Sequence, residues 1–362
     1  MEDGRHFRSS AVGGHVPVKK KRINLALQGG GAHGAFTWGV LDRLLEVREL
    51  EISGISGTSA GALNGAALKA GFIAGGETGA RENLDWLWEQ MGALTGEGLE
   101  TWMEGLVPGV ASLSRFIEYS AFYQVADAAS RVFSPYAFGP AYRNPLERIA
   151  RRFHYDKVCA EDGPKFFVGA TNVRSGKVRI FSGQEITTDA LLASACLPTV
   201  FQAVVIRDPE SGRREAYWDG GYTGNPALFP LFDRGLPDDI VVVNINPLYR
   251  DDIPKSAQDI QNRINEVGFN ASLMGELRAI GFVQRLLAEG ALASGSMKDV
   301  RVHMIADDSL MTRLSVATKL VPTPGLLAKL KASGRAAASE FLDRHFDDIC
   351  RRNTVDLTRL LG

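Results

Sequence analysis

The chain has 362 residues, 45% of them hydrophobic and 23% charged, the make-up of a globular protein with material for a sizeable core in one large or two ordinary domains. Its 41 Lys and Arg against 42 Asp and Glu leave a formal net charge of -1, which excludes a chain that binds nucleic acid through its overall charge. Three cysteines, Cys159, Cys196 and Cys350, lie far apart without a CxxC pair. Neither a zinc site nor a disulfide framework is therefore expected, and reduced, mostly buried thiols suit a cytoplasmic compartment.

Residues 1–22 are polar, with no apolar stretch after their charges, so a disordered basic tail is expected there and not a secretory signal. The run Lys19-Lys20-Lys21-Arg22 reads as a solvated linker. Its functional alternative is peripheral contact with an anionic membrane surface, at about 1 kcal/mol per basic residue. No apolar run approaches the roughly 18 residues of a membrane span.

The unbroken run Ile23 to Gln28 predicts a strand buried on both faces of a parallel sheet. A helix is expected from Ala35 to Val47, with Phe36, Val40, Leu41, Leu44 and Leu45 on one stripe. A strand from Ile52 to Gly57 follows, then a small-residue helix from Ala60 to Ala70 that Gly71 stops. The span 82–142 is rich in aromatic residues, among them Trp86, Trp88, Trp102, Phe116, Tyr119, Tyr136 and Tyr142, and is punctuated by Gly and Pro. It predicts a helical insertion, either packed on the core or covering an apolar ligand.

Asn144, Pro145 and Glu147 form the start signal of a helix to Phe153. Lys165 to Val173 and Lys177 to Ser182 predict a hairpin. A helix capped by Thr187 or Thr188 runs to Ala195, before Pro198. Ala203 to Arg207 and Arg214 to Trp218 predict a second strand pair. Its second strand ends in Asp219-Gly220-Gly221. Beyond it come a short helix (Pro226 to Arg234), a buried strand (Asp239 to Asn246), helical segments from Ser256 to Ala288, a strand near Val300 to Ile305 and a long helix from Pro324 to Arg351.

Two turns carry chemistry. Gly29-Gly30-Gly31-Ala32-His33-Gly34 joins a strand to a helix and offers bare backbone N–H groups. Its Gly29, Gly31 and Gly34 also fit a dinucleotide turn, but that reading needs an acidic residue about 20 positions on at the end of the second strand. Here that strand ends in Gly57-Thr58-Ser59, and Glu51 stands at its start. Gly57-Thr58-Ser59-Ala60-Gly61 is the pattern of a nucleophile elbow, in which Gly57 and Gly61 leave room around a strained serine.

A serine needs a base. Of the six histidines, His6 and His15 are in the tail and His154 follows a helix. His303 and His345 alone come after Ser59 and Asp219 in an Asp-then-His order. Asp219, at a strand end and followed by glycines, is the other candidate. Judged alone, it reads equally as a turn aspartate.

The Gly-rich turn, Gly57-x-Ser59-x-Gly61 and Asp219-Gly220-Gly221, together with Ser194-Ala195-Cys196-Leu197-Pro198-Thr199-Val200-Phe201, resemble the motifs of the patatin-like phospholipases from about Ile23 to Pro230. The resemblance implies an α/β, three-layer hydrolase fold with a central, mostly parallel sheet. It also implies a Ser59–Asp219 dyad without histidine and an oxyanion hole at Gly29, Gly30 and Gly31. Gly34, Gly57, Gly61, Gly220 and Gly221 would support these motifs.

Residues 23–232 would form the catalytic domain, and 233–362 a C-terminal strand and helical extension packed on it. The expected reaction is hydrolysis of lipid acyl esters without cofactor or metal, with Asp219 ionised at its reference pKa of about 3.9. A polyester or thioester substrate, or a non-catalytic lipid- or partner-binding module, are the alternatives. His33 stands where the family often has Arg or Lys, a departure that bears on headgroup preference and local anion binding.

Overall fold

The computed structural model describes residues 20–95, 134–209 and 211–362. One sheet organises them, in the order β5-β6-β3-β2-β1-β7-β8 with β4 on β3. The strands are β1 (Lys21–Leu27), β2 (Leu50–Thr58), β3 (Lys165–Asn172), β4 (Val178–Ser182), β5 (Val204–Arg207), β6 (Arg214–Asp219), β7 (Asp239–Val243) and β8 (Arg301–Ile305). The path β3-β2-β1-β7-β8 is parallel, whereas β4, β5 and β6 join antiparallel. The expected mostly parallel sheet is thus present, with an antiparallel flank.

The central strands are apolar on both sides because both sides are covered. Leu25, Leu27, Val241 and Val243 enter one core, and the alternating residues Ala26, Ile240 and Val242 enter a second. The first core holds α1 (Gly34–Leu44), α2 (Ala60–Gly92) and α6 (Pro324–His345). Leu273, Leu277 and Ile280 of α4 (Ala257–Ala288) build the second. Helix α3 (Thr188–Ser194) packs near β3, and the single-turn helix α5 (Val316–Leu320) lies against the Gly-rich turn.

Several boundaries differ from the sequence reading. Strand β1 already begins at Lys21, so the basic run is partly structural. Lys21 Nζ donates to the Phe346 carbonyl at 2.5 Å, and Arg22 pairs with Glu51 at 2.9 Å. Gly71 does not stop α2. The helix breaks at Gly75 and Gly76 and folds back, and Gly71 lies so close to Gly79 that a Cβ would sit 2.3 Å from the Gly79 carbonyl oxygen. The Asn83 amide accordingly donates to Ala67 O at 2.7 Å.

Trp86 and Trp88 belong to this returning limb. Trp88 is buried, donates to Asn64 Oδ1 at 2.9 Å and stacks on Trp38, while Trp86 meets Phe153 edge-on. They serve the core. Trp102, Phe116, Tyr119, Phe122, Tyr123 and Phe133 lie outside the described residues. Pro226 to Arg234 is no α-helix: it follows a cis Asn225–Pro226 bond and holds only the 3-10 turn Phe229–Phe232. The last long helix ends at His345, where the chain is drawn aside to the start of β1 by Lys21. Cys159 and Cys196 are buried, Cys350 is exposed, and all three are free.

Candidate active site

Register brings the two turns together. Thr58 of β2 pairs with Gly169 of β3, and the next β3 residue, Ala170, pairs with Asp219 of β6. Asp219 and Ser59 therefore stand at one level of the sheet, one strand apart. The intervening Gly169 has no side chain to obstruct them. Gly220 continues the approach: a Cβ there would lie 2.2 Å from the Gly169 carbonyl oxygen and 3.0 Å from Thr58 Cγ2.

Ser59 has φ 54 and ψ -124 and is the N-cap of α2. A side-chain-bearing residue at that φ is strained. The strain is held by close packing, since a Cβ at Gly57 would lie 2.6 Å from the Gly61 carbonyl oxygen and one at Gly61 would lie 2.1 Å from Leu27 O. The Ser59 N–H donates to Ser194 Oγ at 2.9 Å, and Ser194 donates in turn to Gly169 O at 2.6 Å. The block from Ser194 to Phe201 thus braces both turns, because Cys196 O also accepts the Asp219 N–H at 2.8 Å.

Asp219 is buried, only 1% exposed. Burial pushes its pKa up to about 7, against the pull of the Gly221 N–H and of the Ser59 hydroxyl. Gly221 N donates to Asp219 Oδ1 at 2.8 Å. The group is therefore not fully ionised at neutral pH, a correction to the reference value used in the sequence reading.

The Gly-rich turn wraps Ser59 from the other side. A Cβ at Gly29 would lie 2.6 Å from Ser59 Cβ. The Gly29 N–H is already engaged, donating to Asn225 Oδ1 at 2.7 Å. Gly29 consequently does not supply a free oxyanion donor as the sequence reading expects. The Gly30 and Gly31 N–H groups have no acceptor among the described residues. Gly31 takes φ 57, and a Cβ there would lie 2.2 Å from the Lys319 carbonyl oxygen.

Beneath the turn lies a set of buried amides that sequence reasoning missed. Gln28 Oε1 accepts from the N–H groups of Ile245 and Asn246 at 2.8 and 3.0 Å, and Gln28 Nε2 donates to Asn270 Oδ1 at 3.1 Å. Asn246 Nδ2 donates to Gly29 O at 3.0 Å. Gln28 and Asn246 carry one sequence signal, a polar residue just after an apolar strand run, while Asn270 sits within α4.

The histidines are elsewhere. His303 is buried on β8 with Nε2 2.9 Å from Asp239 Oδ1 at the start of β7. His345 pairs with Asp348 at the end of α6. Ser59 and the Gly-rich turn lie at the carboxyl ends of the parallel strands, whereas Asp239 lies at the opposite end, so a Ser–Asp–His arrangement through His303 is not formed. His33 is buried, with Nε2 2.8 Å from Thr318 Oγ1, whose own proton goes to Ser315 O at 2.7 Å. The imidazole must then be the donor. Burial first and Lys319 second hold its pKa well below the usual histidine range, so position 33 carries no charge.

A parallel α/β sheet with a strained serine between glycines, facing a buried aspartate and a glycine turn, defines an α/β protein of the hydrolase type. The profile of the patatin-like phospholipases matches residues 25–232; the chain belongs to this family. No curated protein matches it. Among solved structures, it is similar to VipD from Legionella pneumophila at 16% identity and TM-score 0.37, covering 90% of this chain and 67% of that one. It is also similar to the type III effector ExoU at 16% identity and TM-score 0.33, covering 90% of this chain and 53% of that one. The ExoU–SpcU complex from Pseudomonas aeruginosa matches at 16% identity and TM-score 0.28, covering 95% of this chain and 74% of that one. The chain thus spans about half to three quarters of the length of these structures.

Proposed function

We propose that this protein hydrolyses acyl esters of lipids through Ser59 and Asp219 acting as a dyad. The observation that carries the reading is the placement of the strained Ser59 one strand from the buried Asp219 at the same level of the sheet, with only Gly169 between them. In this mechanism Ser59 Oγ attacks the acyl carbonyl and its proton passes to Asp219. A base with a pKa near 7 is well matched to neutral pH. The tetrahedral oxyanion is held by the Gly30 and Gly31 N–H groups, each worth about 2.7–4 kcal/mol by comparison with a measured donor elsewhere. The N-terminus of α2 adds favourable potential at Ser59. The alcohol leaves with the proton from Asp219, and Asp219 then activates the water that releases the acid from the acyl-enzyme.

The test compares wild type, Ser59→Ala and Asp219→Asn on a long-chain ester, with fluorophosphonate labelling in parallel. Ser59→Ala should lose both turnover and labelling. Asp219→Asn keeps the shape but removes the base, so turnover should fall by about 10²–10⁴-fold with folding intact. Labelling that persists in Ser59→Ala, or an Asp219→Asn enzyme of near wild-type rate, would defeat this reading.

A further inference from the structure

Lys319 is a half-buried cation set against the Gly-rich turn by α5, from beyond the stretch that matches the family. Its backbone carbonyl abuts Gly31, and its Nζ donates to Asn246 Oδ1 at 2.7 Å. Asn246 is the residue that also holds Gly29 O. The Lys319 ammonium lies 6.0 Å over the ring of Phe269. That ring lies against Gly221, where a Cβ would sit 2.2 Å from Phe269 Cε1. The ammonium therefore stands at the rim that joins the Gly-rich turn to the Asp219 turn.

No carboxylate pairs with it among the described residues. The nearby carboxylate, Glu266, is bound by Arg250 at 2.6 Å and by Arg263 at 3.2 Å. The charged groups that act on Lys319 are thus Glu266, already shared, and Arg250, which repels it, while His33 on the turn is neutral. An ammonium has three donors, and Asn246 takes one. A cation with spare donors beside a site for ester attack is completed by an anion on the substrate.

We infer that Lys319 binds the phosphate of a phosphate-bearing lipid ester while Ser59 attacks its acyl carbonyl, an assignment that rests on the hydrolase reading above. The C-terminal extension then contributes a specificity residue to the site. It supplies the positive charge that His33 does not.

The experiment uses the full chain as wild type, Lys319→Met and Lys319→Arg. Phosphatidic acid and a diacylglycerol with the same acyl chains are presented in neutral detergent micelles, so that surface charge is not the variable. The readout is the ratio of kcat/KM for the two lipids. Wild type should favour phosphatidic acid by about 10–100-fold, the range of a hydrogen bond to a charged group. The ratio should collapse in Lys319→Met and largely survive in Lys319→Arg. A Lys319→Met enzyme that loses both activities in equal proportion would show a structural role and overturn the assignment. If Lys319→Met does not fold, a wild type that shows no preference overturns it as well.

Titration of Ser59→Ala protein with glycerol 3-phosphate and with inorganic phosphate separates a headgroup from free phosphate. Tight binding of inorganic phosphate alone would overturn the headgroup assignment. Glycerol 3-phosphate binding that depends on Lys319, beside a wild type that hydrolyses neither lipid, would uphold the anion site and sink the hydrolase reading.

Discussion

Asp219 is where burial and reactivity meet. A carboxyl in water ionises near 3.8, and this one is pushed up to about 7 chiefly by burial. The titratable side chains around it are Cys196 and Tyr222, each pushed up to about 12 by burial and then by the Asp219 charge, so neither changes charge near neutrality. In the proposed dyad the active form has Asp219 ionised. We therefore expect kcat/KM to rise with pH through a midpoint near 7, and a flat profile over that range in the residual activity of Asp219→Asn. The same shift has a cost in stability. A carboxyl whose folded pKa is raised favours the folded state fully below pH 4, and that contribution is lost as pH rises toward 7. Asp219→Asn should gain on wild type across that window, by up to about 4 kcal/mol above pH 7, and should show no gain at pH 4. Denaturant midpoints of both proteins at pH 4 and pH 8 check this, and a gain of equal size at both would contradict it.

Between elements, the closest contact that frames the site is the crossing of α1 and α6. A Cβ at Gly39 would lie 2.0 Å from the Lys331 carbonyl oxygen, and one at Gly334 would lie 2.0 Å from Phe36 O. The two backbones touch through reciprocal glycines, and α1 starts at the Gly-rich turn, so this crossing sets where the turn sits. Gly334→Ala forces the helices apart, and overpacking of this kind costs about 1–3 kcal/mol. The expected outcome is a Tm lowered by several degrees, read by thermal melting; an unchanged Tm would mean that the crossing tolerates a methyl group. The two glycines read as ordinary helix residues in the sequence, because nothing local marks which helix lies opposite. The same limit explains the rest of the comparison. Ser59 and Asp219 were legible because glycine spacing at strand ends is a local signal, and Ala26, Leu27 and Val241 were legible because an unbroken apolar run means two covered faces. The engagement of Gly29 by Asn225, the placement of Lys319 against Gly31 and the return of α2 beyond Gly71 depend on partners 196, 288 and 8 positions away in the chain. No local pattern encodes such pairings.

Over the whole molecule, the sheet divides its tasks between its two ends. The carboxyl ends of β1 and β2 carry the Gly-rich turn and Ser59, with strain and a buried carboxyl. The opposite end, at the start of β7, carries Asp239, which accepts hydrogen bonds from His303 at 2.9 Å, Arg301 at 2.8 Å and the Cys350 N–H at 2.7 Å. Burial alone would raise the Asp239 pKa, but these three partners hold it down to about 2. A depressed carboxyl stabilises the fold above its unfolded value near 3.8 and loses that contribution as pH falls toward 2. His303 thereby ties the edge strand β8 and the C-terminal segment to β7, and in the proposed dyad it takes no part in attack on the ester. His303→Ala leaves a buried carboxylate short of one donor, a change that costs about 3 kcal/mol even with Arg301 in place. We expect a clearly lowered Tm at pH 7, a smaller difference near pH 2, and a kcat per folded molecule within about twofold of wild type, since additive behaviour is the rule for distant sites. Measurement of kcat below the unfolding transition, normalised to fluorophosphonate-labelled protein, separates the two effects. A folded His303→Ala protein that neither labels nor turns over would make His303 the base and remove Asp219 from that role.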